Sequence, residues 1–255
     1  MGLDILTDGA TGRPGYSFPT EIVEGMPGLS RFYLADDAYS DGGVTKWADR
    51  ITGAIASPTQ GVEYQPVVSA IGALPSVRFG AGCGLRLNRP LALAGAYTIY
   101  FLLRPEAHNS VLLGEDDFFQ VTPADKAKSA YQVYLGDNPA GEVGVRHGPV
   151  DTSQAKSDAG TIPIGSTTLA MNSWNANDGR MIFGKNGVLQ QADVYATAPV
   201  NAGDAILGAK QPNLDFCYRG HLRAFMVFSV DHALPAYAAD RALMRQLAVE
   251  SDGIA

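Results

Sequence analysis

The chain has 255 residues, of which 46% are hydrophobic and 18% charged, which argues against a disordered chain. Its formal net charge is −7 and it contains no run of Lys or Arg, so no nucleic-acid partner is expected. No apolar stretch reaches the length of a membrane span, so no membrane insertion is expected. The N-terminus also lacks the basic start and apolar run of a secretion signal.

Residues 1–28 are rich in Gly, Pro, Thr and Asp and show neither helical nor strand periodicity. They predict an extended N-terminal arm. Two interpretations stay open at this point: a terminus draped loosely over the surface, or a tether that packs on a neighbouring subunit.

From residue 31 onward, short apolar or alternating runs recur between turn signals, the pattern of a sandwich or barrel. Asn186-Gly187 lies between two apolar stretches and predicts a tight hairpin with a type I′ turn. Residues 149–165 read as a long loop. The predicted strands are 76–79, 97–104, 110–114, 118–122, 130–136, 142–148 and 166–172.

The segment "GHLRAFMVFSV" at 220–230 predicts a strand with both faces covered. Strict alternation puts Leu222, Ala224, Met226 and Phe228 on one face, and Arg223, Phe225 and Val227 on the other. Residues 235–250 predict the one helix, with Pro235 in its first turn. We therefore expect an all-β fold of two antiparallel sheets, with a short C-terminal helix, as one domain over residues 29–255.

Motifs for catalysis or metal binding are missing from the sequence. It has no nucleophile elbow of the G-x-S-x-G type, and its histidines lack metal-ligand spacing, so we expect neither a metal nor a cofactor. Glu115 and Asp117 could act together on one side of a strand, although a solvated hairpin turn is the favoured interpretation and a calcium site the minority one. Asp36, Asp37 and Asp41 likewise read as a turn, because the EF-hand spacing is not met.

Trp174 is the most suggestive candidate for binding a sugar. It lies among polar residues in "MNSWNANDGR", and sugar rings stack on exposed aromatic faces while their hydroxyls need polar partners. Asn175, Asn177 and Asp178 would supply those partners. The alternative is that Trp174 folds back onto the sandwich and the polar residues only form the turn.

The segment from Trp47 to Leu87 resembles the opening of laminin-G-like, concanavalin A-like jelly-roll domains. The resemblance is carried by Trp47 and Asp49, then by Thr59-Gln60, Gln65-Pro66 and "PSVRF" at 75–79. The hairpin around Asn186-Gly187 and the last strand with its closing helix also resemble that family. The resemblance implies a two-sheet jelly roll over about residues 30–250.

No Glu-x-Asp-x-Glu occurs, so the catalytic signature of the related glucanases is absent and the resemblance implies a non-enzymatic protein. Jelly rolls of this type, with a leading Gly/Pro-rich arm, resemble structural components of tailed-phage virions. That implies a homo-oligomer made in the host cytoplasm, located on the virion with other virion proteins, and able to bind a host surface glycan. The alternatives are a glycan hydrolase or lyase acting through Glu115 and Asp117, and a bacterial carbohydrate-binding module.

The resemblance also bears on the two cysteines. In that architecture the first and last strands are neighbours, so Cys83 and Cys217 would approach each other and a disulfide between them is one expectation. The other expectation is that both cysteines remain thiols, which a reducing cytoplasm favours.

Overall fold

The computed structural model describes residues 19–59, 65–88, 91, 93, 95–108, 110–115, 132–137, 140–146, 154–158, 160–195, 205–209 and 217–254. These residues contain two α-helices, α1 (Thr20–Glu24) and α2 (Ala238–Asp252), with a 3₁₀ turn (Pro235–Tyr237) before α2. The strands are β1 (Leu29–Asp41), β2 (Val44–Asp49), β3 (Ile55–Pro58), β4 (Val67–Ile71), β5 (Leu74–Phe79), β6 (Leu85–Arg86), β7 (Ala96–Pro105), β8 (Ser110–Glu115), β9 (Gln132–Asp137), β10 (Ala140–Arg146), β11 (Gln154–Lys156), β12 (Thr168–Asn175), β13 (Arg180–Lys185), β14 (Val188–Tyr195), β15 (Ala205–Leu207) and β16 (Gly220–Phe228).

The strands form two sheets packed face to face, and the pairings between described strands are antiparallel. Sheet I has the order β2–β1–β16–β7–β12–β13–β14, and the hairpin β4–β5 joins it where β5 pairs with the first residues of β16. Sheet II has the order β11–β10–β9–β8–β15–β6–β3. Strand β3 also pairs with β2 and links the two sheets at one edge. The predicted all-β antiparallel jelly-roll sandwich with a C-terminal helix is confirmed.

The predicted strands agree well with those observed. The segments at 76–79, 97–104, 110–114, 130–136, 142–148 and 166–172 correspond to β5, β7, β8, β9, β10 and β12, while 118–122 lies outside the described residues. Asn186 and Gly187 have φ of 50° and 79°, as a type I′ turn between β13 and β14 requires. The predicted loop at 149–165 contains a short strand, β11, so it is more structured than expected.

The main core lies between the two sheets, and the Trp47-x-Asp49 motif fixes one corner of it. Trp47 is fully buried, packs edge-on against Tyr33 and donates its indole N–H to the carbonyl oxygen of Leu34 at 2.7 Å. The Asp49 carboxylate, also buried, accepts the backbone N–H groups of Phe32 and Ile51 and the hydroxyl of Thr52. Trp47 thus fills the core while Asp49 holds the turn after β2 onto β1.

A second core lies on the outer face of sheet I, where the two helices cover it. Phe32, Tyr100 and Met226 point outward from the sheet into this cluster. Val23 of α1 and Leu247 of α2 pack against it and are fully buried. Neither helix of the described part of the chain is long and apolar enough to cross a membrane.

Strand β16 departs from the strict alternation that the sequence predicts. Leu222 points into the main core with Phe225 and Val227, not outward with Ala224. The reason is a β-bulge between Leu222 and Ala224 in the pairing with β7, which shifts the side-chain phase by one residue.

The bulge also places Arg223 against two acidic side chains. Its guanidinium is fully buried, forms an ion pair with Asp36 of β1, and lies 3.4 Å from an Asp252 oxygen at the end of α2. Burial raises the pKa of Asp252.

The folded domain begins before residue 29. Helix α1 lies within the segment predicted as an arm, and Val23 and Met26 are buried in the second core. The first 18 residues of the predicted arm lie outside the described residues.

Replacing Asp49 by alanine should destabilise the fold strongly. The variant leaves two backbone N–H groups and the Thr52 hydroxyl without their acceptor, and we expect a loss of about 3 kcal/mol in the free energy of unfolding. Urea denaturation with an unchanged slope measures it. Asp41→Ala, at the exposed end of β1, is the matched control and should change stability by less than about 0.5 kcal/mol; equal losses would contradict this role for Asp49.

Candidate functional site

Trp174 does not offer a stacking face, so that sequence prediction is wrong. The residue lies in β12, is 1% exposed and belongs to the main core, where its ring stacks on Tyr97 with 6.0 Å between centroids. Strand β12 does not end before Trp174 but continues to Asn175. Trp174 is therefore a strand residue whose side chain points into the core, and not a loop residue.

The polar residues after Trp174 form the turn between β12 and β13. Asn175 is buried, accepts the backbone N–H of Asn177 and donates to Asp231 at 3.2 Å. Asp178 accepts the backbone N–H of Arg180 at 2.9 Å. The alternative interpretation, in which these residues form the turn, accounts for these hydrogen bonds of Asn175 and Asp178. Asn177 and Asp178 are exposed, and glycan contacts by them stay a prediction.

Cys83 and Cys217 are buried thiols, so the disulfide expectation is wrong. The strand neighbourhood was predicted correctly, since Phe79 of β5 pairs with Gly220 of β16. Cys83 lies in the main core, whereas Cys217 packs with Ile206. The neighbours of Ile206 in β15 both point into the main core, so Ile206 and Cys217 lie on the opposite side of sheet II from Cys83.

The acidic segment at 36–41 is part of β1, not a turn. Asp36 binds Arg223 and Asp37 binds Arg50, so arginines occupy carboxylates that a calcium ion would need. Within the described ranges no group of three His, Cys, Asp or Glu residues could hold a metal ion. Glu115 ends β8, but its side chain, like all of Asp117, lies outside the described residues.

A buried polar network joins β7, β12 and the segment after β16. Ser173 donates to Asp231 at 2.5 Å, and Thr98 accepts the backbone N–H of His232. The Tyr100 hydroxyl and His232 Nδ1 share a hydrogen bond of 3.1 Å, and the His232 ring stacks on Tyr237. Serine, aspartate and histidine meet here as structural residues, because the imidazole bonds to Tyr100 and not to Ser173.

Among the described residues, the outer faces of the two sheets differ. Helices α1 and α2 cover that of sheet I, and Cys217 packs against Ile206 on that of sheet II. At the other end of sheet II, strands β9, β10 and β11 place three large side chains outward: Tyr134, Glu142 and Lys156. We call these three residues the sheet II cluster.

Each member of the sheet II cluster is positioned by a glycine or an ion pair. The Tyr134 ring lies across Gly144, where a Cβ would be 2.0 Å from its Cζ. Glu142 lies across Gly136 in the same way, with its Cγ 2.4 Å from the position of a Cβ. Lys156 Nζ is 2.8 Å from Glu142 Oε1. A half-buried aromatic ring, a buried carboxylate and an exposed ammonium group therefore lie side by side over three strands, about 10 Å in all.

The alternation of inward and outward residues in β9 and β10 predicts part of the sheet II cluster. Val133 and Leu135 point inward, as do Val143 and Val145, so Tyr134 and Glu142 must point outward. The sequence did not reveal that Tyr134 pairs directly with Gly144, because the register is set by long-range packing.

Solved structures of low sequence identity resemble this chain. Domain 4 of AbnA, a GH43 extracellular arabinanase from Geobacillus stearothermophilus in complex with arabinotriose, is 16% identical, covering 84% of this chain and 98% of that one with a TM-score of 0.54. The CBM40 of the Ruminococcus gnavus IT-sialidase, bound to alpha2,3 sialyllactose, is 15% identical, covering 65% and 95% with a TM-score of 0.49. No protein-family model matches the sequence, and no curated protein sequence matches it. The likeness to domain 4 of AbnA agrees with the β-sandwich fold of this chain.

His232 should make stability fall as the pH falls. Burial above all, with help from Arg241, lowers the pKa of His232 from 6.5 to about 4. Between these values the unfolded chain binds the proton and the folded chain does not, so the unfolding free energy decreases from pH 6.5 down to about pH 4, by about 3 kcal/mol in all.

Urea denaturation at several pH values, compared with His232→Gln, isolates this contribution. Carboxylates such as Asp252 titrate in both proteins and cancel in the comparison. The wild-type curve should be the steeper one between pH 6.5 and 4; parallel curves would show that His232 is not responsible.

Proposed function

We propose that this protein is a non-enzymatic glycan-binding module whose binding site is the sheet II cluster. The observation that carries the proposal is the Tyr134 ring, which lies along the sheet over Gly144 next to the Glu142–Lys156 ion pair. Sugar C–H faces stack on aromatic rings, and sugar hydroxyls accept hydrogen bonds from ammonium donors such as the exposed Lys156. Glu142 is buried, and its role is to hold that ammonium group beside the ring.

The same arrangement supports binding over hydrolysis. Cleavage of a glycosidic bond by acid–base chemistry needs two carboxyl groups at a defined separation. The sheet II cluster contributes a single carboxylate, Glu142, which is engaged by Lys156. Glycan binding by structural neighbours of similar fold adds weight: domain 4 of the arabinanase was solved in complex with arabinotriose.

We further propose that the module is a homo-oligomeric component of a tailed-phage virion that contacts a host surface glycan. This part of the proposal rests on the resemblance of the sequence to jelly rolls of phage particles.

Tyr134→Ala should weaken glycan binding about tenfold or more, since the ring supplies the stacking surface. A glycan array that includes arabinotriose identifies the ligand, and calorimetry with the best oligosaccharide gives the affinity. Tyr39→Ala is the matched control, because Tyr39 is an exposed tyrosine on sheet I, and it should bind like the wild type. Reducing-sugar release by the wild-type protein would contradict the non-enzymatic assignment.

Mass spectrometry of purified particles tests the virion assignment. We expect peptides of this chain in particles that have been freed of host lysate. Peptides found only in the host cell fraction would contradict the virion role and leave glycan binding to be judged by the array.

A further inference from the structure

The hairpin β4–β5 carries exposed apolar side chains along a sheet edge. Among the described strands, β4 pairs with β5 alone, so its other edge is unpaired. Val67 and Val68 lie on opposite faces of β4 and are 49% and 43% exposed, and Ala70 is exposed too. From Tyr64 to Val77 the sequence has no charged residue. Exposed edges are normally protected by charges, bulges or a covering element, so a partner is expected at this one.

The pairing with β5 shows which backbone groups of β4 are unused. Ala70 lies opposite Pro75, which has no N–H, so these two residues do not exchange hydrogen bonds. Because bonded and non-bonded pairs alternate, the N–H and C=O groups of both Ala70 and Val68 point away from β5. Pro66 directs its C=O the same way and accepts the Thr45 hydroxyl at 2.6 Å. Within the described residues, the outward groups of Val68 and Ala70 have no hydrogen-bond partner.

We propose that β4 pairs antiparallel with β4 of a second copy of this chain, about a two-fold axis at Ser69. The symmetry sets Val68 opposite Ala70 of the second copy, and Ala70 opposite Val68, so that each outward N–H meets an outward C=O. No charged group is buried, because the edge has none. The inference names the interface of the homo-oligomer proposed above and rests on that part of the proposal.

The distribution of charge favours a second copy as the partner. Two copies of a chain of net charge −7 repel each other, and an uncharged edge lets them meet where the repulsion is small. The first charged residue of β5, Arg78, lies opposite Val67 and binds Glu106. In the symmetric pair Arg78 is about 20 Å from its counterpart, well beyond the screening length of roughly 8 Å. A strand with charges of its own would find no counter-charge on β4.

The area of the interface decides how strong the association is. Strand β4 has five residues, and two such strands with their flanking side chains bury on the order of 700 Å². A stable interface needs roughly 1,200 Å² or more. We therefore expect a reversible dimer with a dissociation constant on the order of 100 μM.

The same symmetry gives the two copies a common binding side. The two-fold axis of an antiparallel strand pair is perpendicular to the sheet, so the outer faces of both copies of sheet I lie on one side. Both copies of sheet II, each with its sheet II cluster, lie on the other side. The dimer thus presents two clusters in one direction, which suits a surface that carries many copies of one glycan.

Sedimentation of the full chain tests the interface. We expect the average mass of the wild type to rise from one chain towards two between about 5 and 500 μM. Val68→Lys should weaken the association about tenfold or more, since two like charges then lie close to the axis. Val188→Lys is the matched control, because Val188 is 61% exposed on β14 at another edge of sheet I, and it should associate like the wild type.

Mixing two variants separates a lost interface from a lost fold. Val68→Lys and Val68→Glu should each stay monomeric at about 100 μM, and an equal mixture should dimerise, because opposite charges then meet across the axis. A wild type that stays monomeric up to about 500 μM overturns the interface together with the homo-oligomer. An oligomer that neither variant weakens overturns the interface alone.

A glycan-coated surface tests the common binding side. Wild type and Val68→Lys should bind the free oligosaccharide that scores highest on the array with equal affinity. On beads coated densely with that oligosaccharide, the wild type should be retained about tenfold longer, since both clusters of a dimer can bind at once. Equal retention overturns the common binding side. Failure of both proteins to bind the free oligosaccharide would instead contradict the sheet II cluster as the glycan site.

Discussion

Strand β16 is apolar on both faces, and this constraint determines the architecture around it. Phe225 and Val227 point into the main core, and Met226 and Phe228 point to the opposite face of the same sheet. A sheet built around such a strand must be covered twice, once by sheet II and once by other elements. Helices α1 and α2 provide the second cover, and the Arg223 ion pairs fix the end of α2 to the strand. The outer face of sheet II carries the half-buried Tyr134, which we propose as the contact for a glycan.

The same constraint explains the buried polar network at the end of sheet I. The segment that returns from β16 to α2 passes over the end of the sheet, where its backbone groups need partners. Thr98 bonds the carbonyl oxygen of Val230 and the N–H of His232, and Asp231 accepts the N–H of Ala233. The His232 ring fills the space between Tyr100 and Tyr237.

Periodicity in the sequence was enough to predict the sandwich and most of its strands, because strands such as β5, β7, β12 and β16 have at least one buried face. It failed where a local event changes the phase: the bulge at Leu222–Ala224 moved Leu222 inward, and the continuation of β12 buried Trp174. The candidate site was predictable only in part. Alternation around Tyr134 indicates an outward ring, but its placement over Gly144 depends on the register between β9 and β10, which distant contacts decide.

Amide hydrogen exchange of the full chain, with and without a saturating oligosaccharide from the array, tests the central claim most directly. If sheet II carries the site, the bound sugar should slow exchange in β9, β10 and β11 and leave α2 and the turn at 175–179 unchanged. Slower exchange confined to that turn or to α2, with β9–β11 unaffected, would contradict the account.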